Sequence, residues 1–364
     1  MLKEALVDYD STTGRTHSPP RHVFLELSSH CNLACVHCSK DFGSDEGYPT
    51  RHMSPETLER VLPWVHGARF VNLNMVGESM LSPHYDRALA RCSEGGAELS
   101  INTNGLLMTD RRCDELVARG VHSVTVSIDG TDANRAIRGV SYGRLRGRVI
   151  ALAAARERAG SDLPHIALAC TLMRRTLPEL PALLADLLPR ARIHAVHLQP
   201  LVVFYEALRA ENVYGAPELG PVLERCRRTA ERHGTRLVLF RSNLDGDERR
   251  HPGRDGAGQL GEVSPRYGCI DPFYEIKIRS DGTVMSCSYG REGGFDVNVH
   301  GLDEIWNGPW YRRLRRDLHA GRFRGECSRC PYVFGCLENQ LDHVRPGVRH
   351  SREHRLAAAP SSGG

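Results

Sequence analysis

The sequence lacks any apolar run of about 18 residues, which excludes a membrane-spanning helix. Its first 20 residues are polar and contain no apolar core of an export signal. The sequence also lacks a large excess of either charge, since it has 48 Lys and Arg and 44 Asp and Glu. The net charge of +4 is too small and too dispersed to indicate nucleic-acid binding. We therefore expect a cytoplasmic protein with no membrane and no nucleic-acid partner.

Cysteine, by contrast, is plentiful. Apolar residues at 40% and charged residues at 25% are ordinary globular values. Because thiols stay reduced in the cytoplasm, the 12 cysteines are expected to be metal ligands, catalytic groups or small core residues rather than disulfides.

Short β-rich runs alternate with helical patterns between residues 22 and 200. Ser54 predicts a helix N-cap, with Pro55 in the first turn. Further helices are predicted from Pro83, Thr109, Tyr142 and Pro178. The strand candidates are Val23–Ser28, Arg69–Val76, Ala97–Asn102, Val121–Ile128, His165–Leu172 and Ile193–Gln199. Six β/α units predict a parallel sheet, either a partial barrel or doubly wound, with the active site at the carboxyl ends of the strands.

The pattern changes after residue 200. In order, the sequence predicts a helix at 217–233, a strand at 236–240, a loop at 242–265, a hairpin of Tyr274–Ile278 with Thr283–Cys287, a helix at 303–318 and a low-complexity tail. This change predicts a second, smaller domain.

Cys31, Cys35 and Cys38 form the pattern C-x-x-x-C-x-x-C directly after the first strand. Three thiolates in one loop can bind three irons of a [4Fe–4S] cubane, which leaves the fourth iron open for chemistry on a bound molecule. A zinc site is the alternative, in which His30 or His37 would supply the fourth ligand.

The segment resembles the signature of the radical S-adenosylmethionine superfamily, C-x-x-x-C-x-aromatic-C, with His37 in the aromatic place. The resemblance covers residues 22 to 200. It implies that S-adenosylmethionine chelates the open iron, that an electron from the cluster cleaves it, and that a 5′-deoxyadenosyl radical then abstracts hydrogen.

Motifs at the ends of later strands extend the resemblance. Gly77 and Glu78 match a Gly-Gly-Glu motif that holds the methionine ammonium, although Val76 replaces its first glycine. The alternative for Glu78 is a solvated loop carboxylate.

The resemblance also places Asn104, Ser127, Asp129, Arg138 and His197 at the cofactor. It implies that Ser127 and Arg138 contact the ribose or the methionine carboxylate and that His197 lies beside the adenine. The alternatives are a surface helix arginine for Arg138 and a buried core histidine for His197.

A second group of cysteines comprises Cys269, Cys287, Cys327, Cys330 and Cys336. Spacing alone leaves a zinc ribbon and a four-cysteine iron–sulfur site open. The pattern resembles the auxiliary-cluster extension called SPASM, of whose seven cysteines only five are present. The resemblance therefore implies the shortened twitch form, with one auxiliary [4Fe–4S] cluster.

Within that form we assign four ligands, Cys269, Cys287, Cys327 and Cys330, and treat Cys336 as an alternative ligand or a spare thiol. Cys92, Cys113 and Cys226 lie on apolar helical stripes and are expected in the core. Cys170, near the end of strand five, is a candidate hydrogen donor to a substrate radical, as is Cys336; a filled barrel interior is the alternative for Cys170.

Together the patterns and the resemblance imply an α/β fold, a partial (β/α)6 TIM-like barrel with a small C-terminal twitch/SPASM-like iron–sulfur subdomain. The expected domains are an N-terminal extension (1–21), the barrel (22–235), a linker (236–266), the auxiliary iron–sulfur domain (267–345) and a disordered tail (346–364).

Relatives of this architecture modify either small polar natural products or ribosomal peptides. Because only about twenty residues precede strand one, we expect no fused peptide-recognition domain and favour a small-molecule substrate, such as a sugar, aminocyclitol, aminoglycoside or nucleoside. The expected outcome is dehydrogenation or epimerisation, with flavodoxin or ferredoxin as electron donor. A peptide maturase and a non-enzymatic zinc-binding protein are the alternatives.

Overall fold

The computed structural model describes residues 8–41, 50–203, 205–239, 269–287, 294–325 and 327. The strands, numbered along the chain, are β1 His22–Leu25, β2 Phe70–Asn72, β3 Glu98–Thr103, β4 Ser123–Ser127, β5 His165–Leu172, β6 Ile193–Pro200, β7 Arg236–Leu239, β8 Glu275–Ile278 and β9 Val284–Met285. All of the strands predicted from the sequence are present.

Helices separate most of these strands. They are α1 Pro55–Gly67, α2 Tyr85–Ser93, α3 Asp110–Ala118, α4 Asn134–Arg138, α5 Tyr142–Arg158, α6 Leu180–Leu187, α7 Leu219–Arg232, α8 Asp271–Tyr274, α9 Leu302–Trp306 and α10 Pro309–His319. Short 3₁₀ turns are Ser39–Asp41, Ser79–Leu81, Leu177–Glu179 and Glu206–Glu211. No helix of the described residues is long and apolar enough to cross a membrane.

The described residues divide into two compact units. The first contains residues 8–30, 50–99 and those from 269 onward, and the second contains 31–41, 100–203 and 205–239. The domain bounds expected from the sequence stay a prediction. The expected loop at 242–265 and the tail lie outside the described residues.

In the first unit, β1 lies between β2 and β8 and is parallel to both. The fully buried Val23 pairs with Val71 on one side and Ile276 on the other. β8 and β9 form the predicted antiparallel hairpin. Its turn needs glycine, because Gly282 has φ +93° and a Cβ there would collide with the Asn298 side chain.

In the second unit, β3 to β7 are parallel, and each strand pairs with the next one along the chain. A doubly wound sheet would reverse its strand order at a switch point, and these five strands do not. Their inward apolar residues, such as Val124, Val126 and Leu168, are fully buried. The winding is that of a barrel-type fold.

Two helices begin where the sequence predicted, each after a capping side chain. Ser54 Oγ accepts the Thr57 N–H at 3.1 Å before α1, and Thr109 Oγ1 accepts the Arg112 N–H at 3.3 Å before α3. The single helix predicted at 303–318 is wrong, because α9 ends at Trp306 and α10 begins at Pro309. Proline has no N–H to continue a helix, and a Cβ at Gly308 would collide with the Glu304 carbonyl oxygen.

The N-terminal segment of residues 8–18 packs on α9 and α10 within the first unit. The Asn307 amide accepts the Thr16 N–H and donates to the Thr16 carbonyl oxygen, both at 3.1 Å. Trp306 Nε1 donates to the Ser18 carbonyl oxygen at 3.0 Å, and Arg312 Nε to that of Thr13 at 2.8 Å. These bonds join the start of the chain to its C-terminal helices.

Candidate active site

The loop after β1 carries Cys31, Cys35 and Cys38, all half-buried. Its conformation is fixed by backbone bonds, since the Val36 N–H donates to the Ile137 carbonyl oxygen at 2.9 Å. The Tyr205 hydroxyl donates to the Cys38 carbonyl oxygen at 3.0 Å. The loop is therefore held both by α4 and by the segment after β6.

Nitrogen donors face two of the three sulfurs. Asn104 Nδ2 lies 3.7 Å from Cys31 Sγ, and Arg138 Nη1 lies 3.9 Å from Cys35 Sγ. Sulfur that binds iron is a thiolate and accepts such bonds. Burial raises the pKa of Cys35 to about 12, so the thiolate requires stabilising charge, which a metal centre and Arg138 both supply. The donor set fits an iron–sulfur cluster.

Asp129 and Arg138 form a buried ion pair. Arg138 Nε lies 2.7 Å from Asp129 Oδ2, and Nη2 donates to Oδ1 at 3.0 Å. Oδ1 also accepts the Thr171 N–H at 2.8 Å. Burial alone raises the pKa of Asp129, but the Arg138 charge, His37 and these hydrogen bonds together lower it. Arg138 is thus buried and paired, not a surface arginine.

His37, in the aromatic place of the signature, joins the same network. Its Nε2 lies 3.4 Å from Thr171 Oγ1 and 3.7 Å from Asp129 Oδ2. Within the second unit, the structure therefore brings together three of the predicted cofactor residues, His37, Asp129 and Arg138, around Cys35.

Sequence reasoning missed the residues that fix the loop after β4. The Glu179 carboxylate accepts the Thr131 N–H at 2.6 Å and the Ala133 N–H at 3.1 Å. A Cβ on Gly130 would lie 2.5 Å from the Glu179 carboxylate, so this close approach requires glycine. Glu179 and Thr171 belong to no motif, and only their contacts reveal them.

In the first unit, Gly77 and Glu78 follow β2. The Glu78 N–H donates to the carbonyl oxygen of His30, the residue before Cys31, at 2.7 Å. A Cβ on Gly77 would collide with the Ser28 carbonyl oxygen. The Glu78 side chain is buried and caps the turn Ser79–Leu81, so the solvated-loop alternative is wrong.

Sequence reasoning also missed Glu26, an acidic residue of the first unit. Glu26 is fully buried and accepts from the Val76 N–H at 3.4 Å and the Ser280 hydroxyl at 2.8 Å. It links the loop after β2 to the hairpin turn. A carboxylate directly after an apolar strand was the one available signal.

Three further site candidates lie on strands of the second unit. Ser127 ends β4, and His197 lies in β6, where burial lowers its pKa. Cys170 is buried, and it interacts electrostatically with Asp129 and Arg138 of the site and more weakly with Cys226. Since alternate residues of a strand face opposite sides, Cys170 points away from the face on which Thr171 meets His37. The roles of all three stay predictions.

The second cysteine group lies in the first unit. Cys269 and Cys327 both pack against a cluster formed by Phe273 and Leu318. Cys287 follows the hairpin and lies near Tyr311, to whose raised pKa it contributes after burial. Cys330 and Cys336 lie outside the described residues.

The described residues also bear on a single-ion metal site and on the three cysteines expected in the core. In the described part of the chain, no group of three or more His, Cys, Asp or Glu could hold a metal ion by itself. Cys92, Cys113 and Cys226 are fully buried, which confirms their place in the core.

Comparison with known proteins supports the same two regions. Residues 25–180 match the radical SAM superfamily, and residues 269–331 match the iron–sulfur cluster-binding domain SPASM. The chain is 27% identical to a GTP 3′,8-cyclase of Synechococcus sp. (strain CC9902), over 83% of this chain and 91% of the relative. It is 29% identical to the mycofactocin maturase MftC of Mycobacterium tuberculosis, over 85% of this chain and 75% of the relative.

Among solved structures, Streptococcus suis SuiB is similar. Bound to S-adenosylmethionine it has a TM-score of 0.65 and 18% identity, covering 92% of this chain and 76% of that one. Bound to the precursor peptide SuiA it has a TM-score of 0.62 and 15% identity, covering 84% and 70%. This likeness confirms the predicted fold class.

The family matches confirm the predicted cofactors, since the first domain binds a [4Fe–4S] cluster with S-adenosylmethionine and the second binds auxiliary iron–sulfur clusters. The expected resemblance to sugar dehydrogenases and epimerases is not supported, because the relatives are cyclases, haem synthases and maturases. The chain therefore contains a radical S-adenosylmethionine region at residues 25–180 and a SPASM region at residues 269–331.

Proposed function

We propose that this chain is a radical S-adenosylmethionine enzyme that takes a hydrogen atom from a peptide substrate. The observation that carries the chemistry is the loop after β1, which carries three cysteines that interact electrostatically and in which nitrogen donors face two of the sulfurs. The peptide is supported by SuiB, solved with a precursor peptide, and by MftC, a maturase. This replaces the small molecule favoured from the sequence as the first candidate.

Cys31, Cys35 and Cys38 would hold the cluster, which would supply the electron for reductive cleavage of S-adenosylmethionine. The chain's own residues would bind S-adenosylmethionine and orient it. The Glu78 carboxylate, buried and fixed by the turn it caps, would accept from the methionine ammonium. Because Gly77 has no Cβ, the backbone after β2 can lie close to the Ser28 carbonyl oxygen.

The remaining predicted contacts belong to the same proposal. Asn104, whose amide also donates to Asn32 Oδ1 at 2.7 Å, keeps its side chain beside the cysteine loop. Ser127 would meet the ribose, and His197 the adenine. In the SPASM domain we assign Cys269, Cys287, Cys327 and Cys330 to one auxiliary cluster, with Cys336 as the alternative ligand.

Anaerobic reconstitution tests the chemistry. The reconstituted protein should absorb at about 400 nm and contain iron rather than zinc. After reduction it should release 5′-deoxyadenosine from S-adenosylmethionine. Cys35→Ala should lose this release, whereas Cys92→Ala, which changes a buried cysteine of α2, should retain it. Full release by Cys35→Ala would overturn the proposal. Reduced flavodoxin and ferredoxin, our proposed donors, should replace a chemical reductant.

A small polar substrate is the second candidate, and the 27% identical GTP 3′,8-cyclase favours it. Incubation with precursor-type peptides in parallel with nucleotides, sugars and aminoglycosides separates the two. The true substrate should raise 5′-deoxyadenosine formation above the uncoupled rate. Stimulation by small molecules alone would reject the peptide.

Mass spectrometry of the product distinguishes the outcomes. Dehydrogenation or cross-linking removes two hydrogens from the substrate, whereas epimerisation restores one from a thiol and leaves the mass unchanged. In D₂O the epimerised product gains one deuterium. Cys170→Ala and Cys336→Ala test the two thiols, because loss of the true donor should abolish inversion and spare S-adenosylmethionine cleavage.

A further inference from the structure

The Arg138 guanidinium stands between a carboxylate and a cysteine sulfur. Its Nε and Nη2 engage the two oxygens of Asp129, and its remaining terminal nitrogen, Nη1, lies 3.9 Å from Cys35 Sγ. Both charged side chains are at least nine-tenths buried. One edge of the guanidinium, formed by Nε and Nη2, therefore already faces a carboxylate.

Asp129 is itself held in place. Its Oδ1 accepts the Thr171 N–H at 2.8 Å, and its own N–H donates to Asn134 Oδ1 at 2.9 Å. His37 Nε2 lies 3.7 Å from Oδ2 on the other side. Because the carboxylate cannot turn, the guanidinium bound to it cannot turn either, and Nη1 stays directed at the sulfur.

The pair is neutral overall but oriented, with its positive end against Cys35 and its negative end behind. Hydrogen bonds to the sulfurs, local charge and burial set the reduction potential of an iron–sulfur cluster. A fixed positive end next to a ligand sulfur stabilises the reduced, more negative state. Burial strengthens the effect because solvent screens it little.

We propose that Arg138, positioned by Asp129, raises the reduction potential of the cluster bound by Cys31, Cys35 and Cys38. Its role is thus to make the one-electron reduction of that cluster easier. The inference rests on the proposed function, which places a cluster at these three cysteines.

A redox titration followed by electron paramagnetic resonance tests this. The full chain carries Cys269→Ala and Cys287→Ala, so that only the first cluster contributes. Arg138→Gln should lower the midpoint by a tenfold change in the reduction equilibrium or more, which is 59 mV for a one-electron couple. Arg138→Lys retains the charge but not the planar guanidinium. Its midpoint potential should fall between that of the Cys269→Ala/Cys287→Ala parent and that of Arg138→Gln.

Arg146→Gln is the matched control. Arg146 lies on α5 in the same unit, and its Nε donates to Asp186 Oδ2 on α6 at 2.6 Å. It contacts no cysteine among the described residues. Its midpoint should equal that of the parent. A midpoint of Arg138→Gln equal to that of Arg146→Gln would overturn the inference. If Arg138→Gln fails to fold, an unchanged midpoint in Arg138→Lys overturns it instead.

Failure of the proposed function would look different. In that case the parent protein itself would contain no iron at Cys31, Cys35 and Cys38, and its resonance spectrum would not change on adding S-adenosylmethionine. A cluster that is present and responds to S-adenosylmethionine, with a midpoint independent of Arg138, would reject the inference alone.

Discussion

Tyr9 lies edge-on against Phe273, with ring centroids 4.8 Å apart and ring planes at 89°. Phe273 and Leu318 form the cluster against which Cys269 and Cys327 pack. Tyr9 thus shares one apolar cluster with two proposed ligands of the auxiliary iron–sulfur cluster, although more than 250 residues separate it from them in sequence.

Tyr9→Ala should destabilise the first unit by about 1–3 kcal/mol, because it removes both an edge-on aromatic pair and buried area. Tyr9→Phe should be neutral or slightly stabilising, since the Tyr9 hydroxyl is buried and has no hydrogen-bond partner among the described residues. Urea unfolding of both variants checks the difference. A loss in Tyr9→Phe as large as that in Tyr9→Ala would contradict the packing account.

Gly14→Ala should cost more stability than Gly160→Ala. Both glycines have positive φ, +78° and +60°, so alanine is strained by about 1 kcal/mol at either position. At Gly14 the new Cβ would also collide with the Arg312 carbonyl oxygen, whereas at Gly160 nothing lies within 4 Å. The difference in stability between the two variants, measured by thermal unfolding, gives the cost of the collision at Gly14. Equal losses of stability would show that residues 8–18 do not pack on α10 in solution.

Acid should destabilise the second unit through His194. Burial, helped by His165, Arg156 and Arg192, lowers the pKa of His194 from 6.5 to about 4. A histidine whose folded pKa is depressed binds its proton more readily when unfolded, so stability is fully present above pH 6.5 and decreases as the pH falls toward 4.

His194→Asn should flatten this decrease between pH 6.5 and 5, because asparagine can still accept the Ile166 N–H that His194 Nδ1 accepts at 3.1 Å. Urea midpoints measured across that pH range provide the test. His233→Asn, at the exposed end of α7, is the surface control. Identical pH slopes for His194→Asn and the parent protein would refute the assignment.

Glu179→Ala should loosen the loop after β4. The carboxylate accepts from two backbone N–H groups and the Thr131 hydroxyl, and bonds to a charged acceptor are worth roughly 1.5–3 kcal/mol each. Hydrogen exchange at Thr131 and Ala133 should accelerate. Glu224→Ala, which removes only exposed ion pairs on α7, should leave those amides unchanged.

Glu78→Gln should weaken S-adenosylmethionine binding by about tenfold, because a neutral amide loses roughly 1.4 kcal/mol of charge-assisted bonding to the methionine ammonium. Anaerobic calorimetry with the reconstituted protein measures the dissociation constant. Glu59→Gln, which alters a surface pair with Arg87 and Arg91, should bind normally. Unchanged affinity in Glu78→Gln would remove Glu78 from the site.

The sequence by itself determined much of the local structure and predicted the thiol ligands. Ser54 caps the helix it was expected to cap, a helix begins at the predicted Thr109, and β5 has the bounds that its apolar run predicted. The cysteine loop after β1 was evident because a cluster-binding motif is contiguous in the chain. Such features depend on neighbours a few residues away, which the sequence displays directly.

Only the tertiary structure decided which distant side chains meet. Asp129 occupies the Arg138 fork, and Glu179 fixes a loop 46 to 48 residues before it. The turn at Asn307-Gly308 ends a helix that was predicted to continue to residue 318, and Asn307 bonds to Thr16. Hydrogen bonds and ion pairs of this kind form between residues brought together by folding, and no periodicity along the chain records them.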